Sequence, residues 1–329
     1  MRVRILGSAA GGGLPQWNCR CANCAAVRAG VVHVRPRTQS SVALSADGQA
    51  WFLLNVSPDI RQQILAFSAL GPAVGTAPRG TTSRGTGITG CVLTDAELDH
   101  AAGLLFLREG GVGHIHCTAT VRRWLNRWFP VEPILASFSH PLASFPSTIW
   151  RDLPIDAACD LCLPDGSPSG LRVHAFEVAR HVPRFVNDDQ CSDERPEGKD
   201  TAAGSVVGLR ILDAKTGGLF VYAPCVGSLD DPLKRVAREA DCLLFDGTFW
   251  DDDEPIRCGI GSRTARAMGH LPVGGPEGSL SWLSGLSARH RVYVHINNTN
   301  PVLDERGPEH RLVTERGVRV GADGDSFEL

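Results

Sequence analysis

Thr94-Asp95-Ala96-Glu97-Leu98-Asp99-His100 follows the apolar run Ile88 to Leu93 and precedes Ala101-Ala-Gly-Leu-Leu105. The run predicts a buried strand. The polar stretch after it predicts a turn at the sheet edge, where α/β proteins build their sites. Four potential metal ligands fall within six residues: Asp95, Glu97, Asp99 and His100. Carboxylates supply hard oxygen donors, and imidazole is the commonest nitrogen donor. A solvated acidic turn capping the next helix would have the same local composition.

Two further apolar runs end in ionisable side chains. Val292-Tyr-Val-His295 leads into Ile-Asn-Asn-Thr-Asn-Pro301, and Cys242-Leu-Leu-Phe-Asp246 leads into Gly-Thr-Phe249. His295 taken alone could be a hydrogen-bonded core histidine, and Asp246 a turn residue before Gly247. Three such strand ends together point to a site, because buried charge is costly unless paired or metal-bound.

Strand-like runs also occur at 2–6, 40–45, 51–56, 206–211 and 218–222, with helical segments expected over 228–240 and 277–289. Ala46-Asp-Gly-Gln49 reads as a hairpin turn. Ser57-Pro-Asp59 reads as a helix start, with Ser57 as N-cap. Strands alternating with helices predict an α/β sandwich. We expect one domain over 1–329, with surface loops over 72–87 and 182–203; the second reads as a mobile lid. Gly7-Ser-Ala-Ala-Gly-Gly-Gly13 permits tight turns, but it lacks the Gly-Lys-Ser/Thr ending of a phosphate-binding loop.

The 329 residues are 43% hydrophobic and 21% charged, ordinary values for a globular chain. A formal net charge of −3 argues against a nucleic-acid surface. No window is apolar for long enough to span a membrane. The opening Met1-Arg-Val-Arg-Ile-Leu-Gly7 has no secretory signature, so a cytosolic, reducing location is expected. Eleven cysteines then call for something other than a disulfide framework. Cys91, Cys225 and Cys242 lie in apolar runs and read as small buried hydrophobes. Cys19-Arg-Cys21-Ala-Asn-Cys24 gathers three thiols in one loop, which predicts a structural zinc site lacking its fourth ligand; a redox role is the alternative.

Taken together these motifs resemble the pyrroloquinoline quinone (PQQ) biosynthesis protein B family of the metallo-β-lactamase superfamily. The resemblance rests on Leu6–Gly13, Pro15–Cys24, Arg37-Thr-Gln-Ser-Ser41, Asn55-Val-Ser-Pro-Asp-Ile-Arg61, Asp246-Gly-Thr-Phe-Trp250, Met268-Gly-His-Leu271 and His295-Ile-Asn-Asn-Thr-Asn-Pro301, and it runs essentially from end to end. It implies a four-layer αβ/βα sandwich with metal at one edge of two packed sheets. The superfamily's Thr-His-X-His-X-Asp-His loop here has Asp95 and Glu97 in place of its first two histidines.

The resemblance assigns Asp99, His100 and His295 to one metal and offers Asp95, Glu97 and His181 as a first site. The carboxylate that bridges two metals in the superfamily is expected after a strand such as Leu219–Tyr222, where this chain has Ala223-Pro-Cys-Val226. One carboxylate and two imidazoles suit non-haem Fe(II) with open positions. The implied function is iron-dependent hydroxylation of a tyrosine-derived PQQ precursor. A carrier for transport of PQQ or its precursor to the periplasm, and a metal-dependent hydrolase, are the alternatives. Asp246 would orient a ligand or bound water, and His270 would act as an acid or substrate contact. Arg184 and Arg210 would clamp carboxylates. Asn298 stands where related phosphodiesterases place the histidine that completes the thiol site. The expected partners are the small-molecule precursor and, as the resemblance allows, a second copy in a homodimer.

Overall fold

The computed structural model describes residues 1–72, 85–108, 112–138, 148–155, 157–186 and 202–329. The loops expected over 72–87 and 182–203 therefore fall mostly outside the described residues. Among these residues, two seven-stranded sheets account for the strands.

The first sheet contains β1 (Arg2–Gly7), β2 (Ser41–Ser45), β3 (Trp51–Leu54), β4 (Ile88–Val92), β5 (His114–Cys117), β6 (Ile149–Asp152) and the C-terminal β14 (Ser326–Glu328), in the order β14-β1-β2-β3-β4-β5-β6. The second contains β7 (Ala158–Cys162), β8 (Pro168–Ala179), β9 (Val206–Asp213), β10 (Leu219–Ala223), β11 (Cys242–Asp246), β12 (His290–Val294) and β13 (Arg319–Val320), in the order β13-β12-β11-β10-β9-β8-β7.

Three apolar layers explain why these sequences take this form. Val3, Ile5, Val42, Leu44, Phe52 and Leu54 of the first sheet meet Val173, Leu209, Phe220, Tyr222, Leu244 and Val292 of the second, all buried. Outside the first sheet, Leu53, Cys91 and Ile115 pack under Ile60, Val121 and Leu125 of the helices Ile60–Ala66 and Ala119–Arg127. Outside the second, Val221, Leu243 and Tyr293 pack under Leu233, Leu283 and Val313 of the helices Asp231–Arg238, Ser279–Ser284 and Pro308–Glu315. The central strands are apolar on both faces because both faces are covered. Each fully buried Leu, Val or Phe contributes roughly 1.5–3 kcal/mol. The result is the four-layer αβ/βα sandwich expected above.

Local expectations shift at element ends. The helix after β3 begins at Ile60 with Asp59 in the cap position, two residues beyond the expected Ser57. Asp59 spends its carboxylate on the Gln39 backbone N–H at 2.9 Å instead of capping the helix. The expected 228–240 and 277–289 helices are shorter, Asp231–Arg238 and Ser279–Ser284.

Strand direction places the site. β3, β4 and β5 run parallel, as do β10, β11 and β12, so their C-terminal ends share an edge within each sheet. The two edges are joined. Ile296 donates its N–H to the Ser8 carbonyl and accepts from the Ala10 N–H, both at 2.9 Å, and Val207 donates to the Thr94 carbonyl at 2.9 Å.

Candidate metal centre

The Thr94–His100 loop is held at both ends. Asn55, in the left-handed region at φ 59°, donates from Nδ2 to Thr94 Oγ1 and accepts the Thr94 N–H, each at 2.9 Å. Beyond His100, Gly103 sits so close to the end of β3 that a Cβ there would lie 2.1 Å from the Ser57 carbonyl oxygen. His100 itself is buried on the short helix Leu98–Ala101.

Three strand ends converge on one point. Asp99 Oδ2 lies 3.4 Å from His295 Nε2 and 3.8 Å from His100 Nε2, and the two imidazole rings are 5.0 Å apart. Cys225, from the turn after β10, completes the group. Its Sγ is 3.9 Å from His295 Nε2, and ligand atoms of His100, Cys225 and His295 lie within 4.8 Å of one another. Cys225 had read as a buried hydrophobe. The signal that could have found it is its place at the end of a strand, where the superfamily's bridging carboxylate is expected.

Behind these donors stand polar supports. Both Asp95 oxygens face His100 Nδ1, at 2.8 and 2.9 Å, and Asp95 also accepts from Thr94 Oγ1 and the Glu97 N–H. Thr248 Oγ1 lies 2.8 Å from His295 Nδ1 and donates to Asp246 at 2.6 Å. Asp246 is paired with His270 Nδ1 at 2.8 Å, and the His270 ring stacks on His295 with centroids 5.5 Å apart. His295 adopts φ 55°, a left-handed conformation that costs a non-glycine residue on the order of 1–2 kcal/mol.

The charge state follows from this packing. Burial alone would push the His100 imidazole down, but Asp95 and Asp99 outweigh it and hold it at about 9. Burial likewise disfavours the Asp99 charge, yet His100 and His295 keep its carboxyl well below the usual range. Burial and then the surrounding carboxylates push the Cys225 thiol well above its ordinary value. A bound cation would reverse the bias on the thiol.

Whether these residues fit a metal can be judged from one atom. His100 Nε2 is buried without a hydrogen-bond partner, on the side facing Asp99, Cys225 and His295. Its other nitrogen is taken by a carboxylate, the usual arrangement for a metal-ligating histidine. The donor set therefore fits a single ion.

Of the trio offered as a first site, the structure brings together only Glu97 and His181, paired at 2.9 Å on the wall of the cleft. Asp95 is spent on His100, and among the described residues no three-donor cluster forms there. His270 and Asp246 form the third such cluster with His295. The cleft over the centre measures about 360 Å³. Arg184 lines it, as does Arg263, for which the sequence carried no signal. Arg210 lies elsewhere, in a separate groove with His174, Arg235 and Glu239, ion-paired to Glu239 at 3.3 Å. It stands four residues into β9 from the site edge, about 13 Å away at the rise of an extended strand.

The thiol loop is a second, compact centre. The sulfurs of Cys19, Cys21 and Cys24 lie within 4.8 Å of one another, and Asn298 Nδ2 sits 3.1, 3.3 and 3.4 Å from them. An amide presents nitrogen or oxygen at the same place after half a turn, so Asn298 can donate to thiolates or supply a fourth ligand.

This fold and edge-sited centre define the class, and a model of the beta-lactamase superfamily domain matches residues 50–296. The chain is also 42% identical over 329 residues to coenzyme PQQ synthesis protein B of Pseudomonas entomophila (strain L48) and 43% identical to that of Azotobacter vinelandii (strain DJ / ATCC BAA-1303), covering 100% of each chain in both cases. Zn(2+)-bound PqqB from Methylobacterium extorquens superposes with a TM-score of 0.83 at 37% identity, over 100% of both chains. The chain belongs to the coenzyme PQQ synthesis protein B family.

Proposed function

We propose that this chain acts in coenzyme PQQ biosynthesis as a non-haem iron-dependent hydroxylase of a tyrosine-derived precursor. One observation carries the proposal: the orphaned His100 Nε2 facing Asp99 Oδ2 and His295 Nε2. One carboxylate and two imidazoles, with room left at the ion, make the donor set of oxygen-using Fe(II) sites. Bound there, Fe(II) would supply the one-electron and oxygen chemistry that no side chain can.

The protein's part is orientation. Asp95 fixes the tautomer and ring plane of His100, and Thr248 does the same for His295 from Nδ1. Cys225 offers a sulfur beside the same ion, where the superfamily's hydrolases place a bridging carboxylate. Its loss, with Asp95 turned onto His100, works against a two-metal hydrolase. His270, held by Asp246 and open to the cleft, is placed to pass a proton to or from a bound substrate. Arg184 and Arg263 line the mouth and would receive a substrate carboxylate.

We place the reaction in the cytoplasm, which the ten free cysteines among the described residues support. No helix among those residues is long and apolar enough to cross a membrane. The test is anaerobic loading with Fe(II), then oxygen uptake with the precursor. Uptake coupled to hydroxylated product is expected and is abolished by Asp99→Ala. PQQ formation unchanged by Asp99→Ala and His100→Ala together would instead favour a carrier.

A further inference from the structure

The thiol loop lies outside the cleft, yet it grips the far end of the turn that delivers His295. Asn298 follows His295 by three residues and is 2% exposed. Its side chain meets all three sulfurs, and its carbonyl accepts from Asn23 Nδ2 at 3.0 Å, a bond that does not depend on the state of the thiols. Asn23 Nδ2 also donates to the Asn300 carbonyl at 2.9 Å, and Thr299 Oγ1 to buried Glu254 at 2.6 Å. At the near end, Thr248 Oγ1 holds the His295 ring at Nδ1, 2.8 Å away, and the Thr248 carbonyl takes the Asn297 N–H at 3.0 Å. The strained backbone at His295 is thus sustained from both sides. A conformation of that kind persists only where its surroundings over-determine it.

What the thiol loop holds must therefore matter to His295. Three thiols without a cation offer Asn298 only weak acceptors. Three thiolates around zinc offer charge-assisted acceptors, or an ion for the amide oxygen.

We propose that Asn298 couples the two centres thermodynamically: zinc on Cys19, Cys21 and Cys24 fixes the 295–300 turn and so positions His295 for the ion at Asp99 and His100. Asn298 is a positioning residue here, not a ligand of the second ion. The inference rests on the metal-site part of the proposed function, but not on its oxygen chemistry.

The test uses the full-length protein and reads binding alone. Co2+ is titrated anaerobically into the zinc-loaded protein, following the visible band of the Asp99–His100–His295 site. Asn298→Ala that retains one zinc per chain is expected to bind Co2+ about tenfold or more weakly, the usual cost of removing an outer support. Coupling must also be reciprocal. Filling the second site with Co2+ should tighten zinc binding at the thiols by the factor by which zinc tightens Co2+ binding in the same protein, measured with a competing chromogenic chelator, and His100→Ala should abolish that response. Because this measurement needs no change at Asn298, it stands even if Asn298→Ala fails to fold. Co2+ binding within twofold of wild type in zinc-loaded Asn298→Ala, or zinc affinity indifferent to Co2+, would overturn the proposal. Failure of oxygen uptake with the coupling intact would sink only the hydroxylase.

Discussion

The two candidate metal centres are built in opposite ways. Cys19, Cys21 and Cys24 come from six consecutive residues, so their chemistry is local and needs little of the fold. Asp99, His100, Cys225 and His295 come from the ends of three strands in two sheets, and only the joining of those edges brings them within bonding range. The thiol loop is therefore a short-range device tied to the structure around it. The strand-end centre is a long-range one whose every donor needs a neighbour to aim it. Buried imidazoles show the same division. His100 sits among carboxylates, keeps one nitrogen free and is held near 9. His116 on β5 is also buried, with both nitrogens unpartnered, but no carboxylate among the described residues supports a charge on it, and burial pushes it down to about 4.

The largest effect that could break this comparison comes from His100→Ala. It should lower metal affinity at the strand-end centre by about a thousandfold or more, while the thiol loop keeps its zinc, as counted by elemental analysis. Loss of both ions would mean that the centres are not separately assembled. Asp95→Asn removes the charge behind His100 without removing a ligand, and about ten- to a hundredfold weaker binding is expected by the same titration. Cys225→Ser should cost about tenfold and, with the thiol loop filled by zinc, abolish the sulfur-to-metal charge-transfer band of Co2+ at the strand-end centre. A band unchanged in Cys225→Ser would exclude that thiol as a ligand.

The smallest effect at neutral pH belongs to His116→Leu. A buried imidazole lowered from 6.5 to about 4 stabilises the folded state above its unfolded value, and that stability is lost as the pH falls from about 6.5 toward 4. Wild type should lose on the order of a few kcal/mol over that window, and His116→Leu should lose less. Identical acid-unfolding curves for the two would contradict this account of His116.

The sequence already held the site's outline in its strand ends. Apolar runs terminating at His295, at Asp246 and in the Asp99–His100 turn could be read because buried strands with charged tips are rare without a purpose. Asp95 was legible as a possible donor by residue type, but its rotamer toward His100 was not, since neighbouring carboxylates in a turn can face either way. Cys225 was hidden because a cysteine in an apolar run is usually only a small hydrophobe. Arg210 was misplaced for want of strand direction: the edge it seemed to approach belongs to the start of β9, and it lies four residues inward. The fold was legible because both faces of the central strands are covered, which leaves continuous apolar runs that few architectures accommodate.

The most direct measurement is a metal count on protein purified without oxygen and reloaded with zinc and Fe(II), repeated on His100→Ala and on the triple Cys19→Ser/Cys21→Ser/Cys24→Ser protein. Two ions per chain are predicted in the wild type, with the iron lost in the first variant and the zinc lost in the second. Iron retained in full by His100→Ala would contradict a centre gripped by Asp99, His100 and His295.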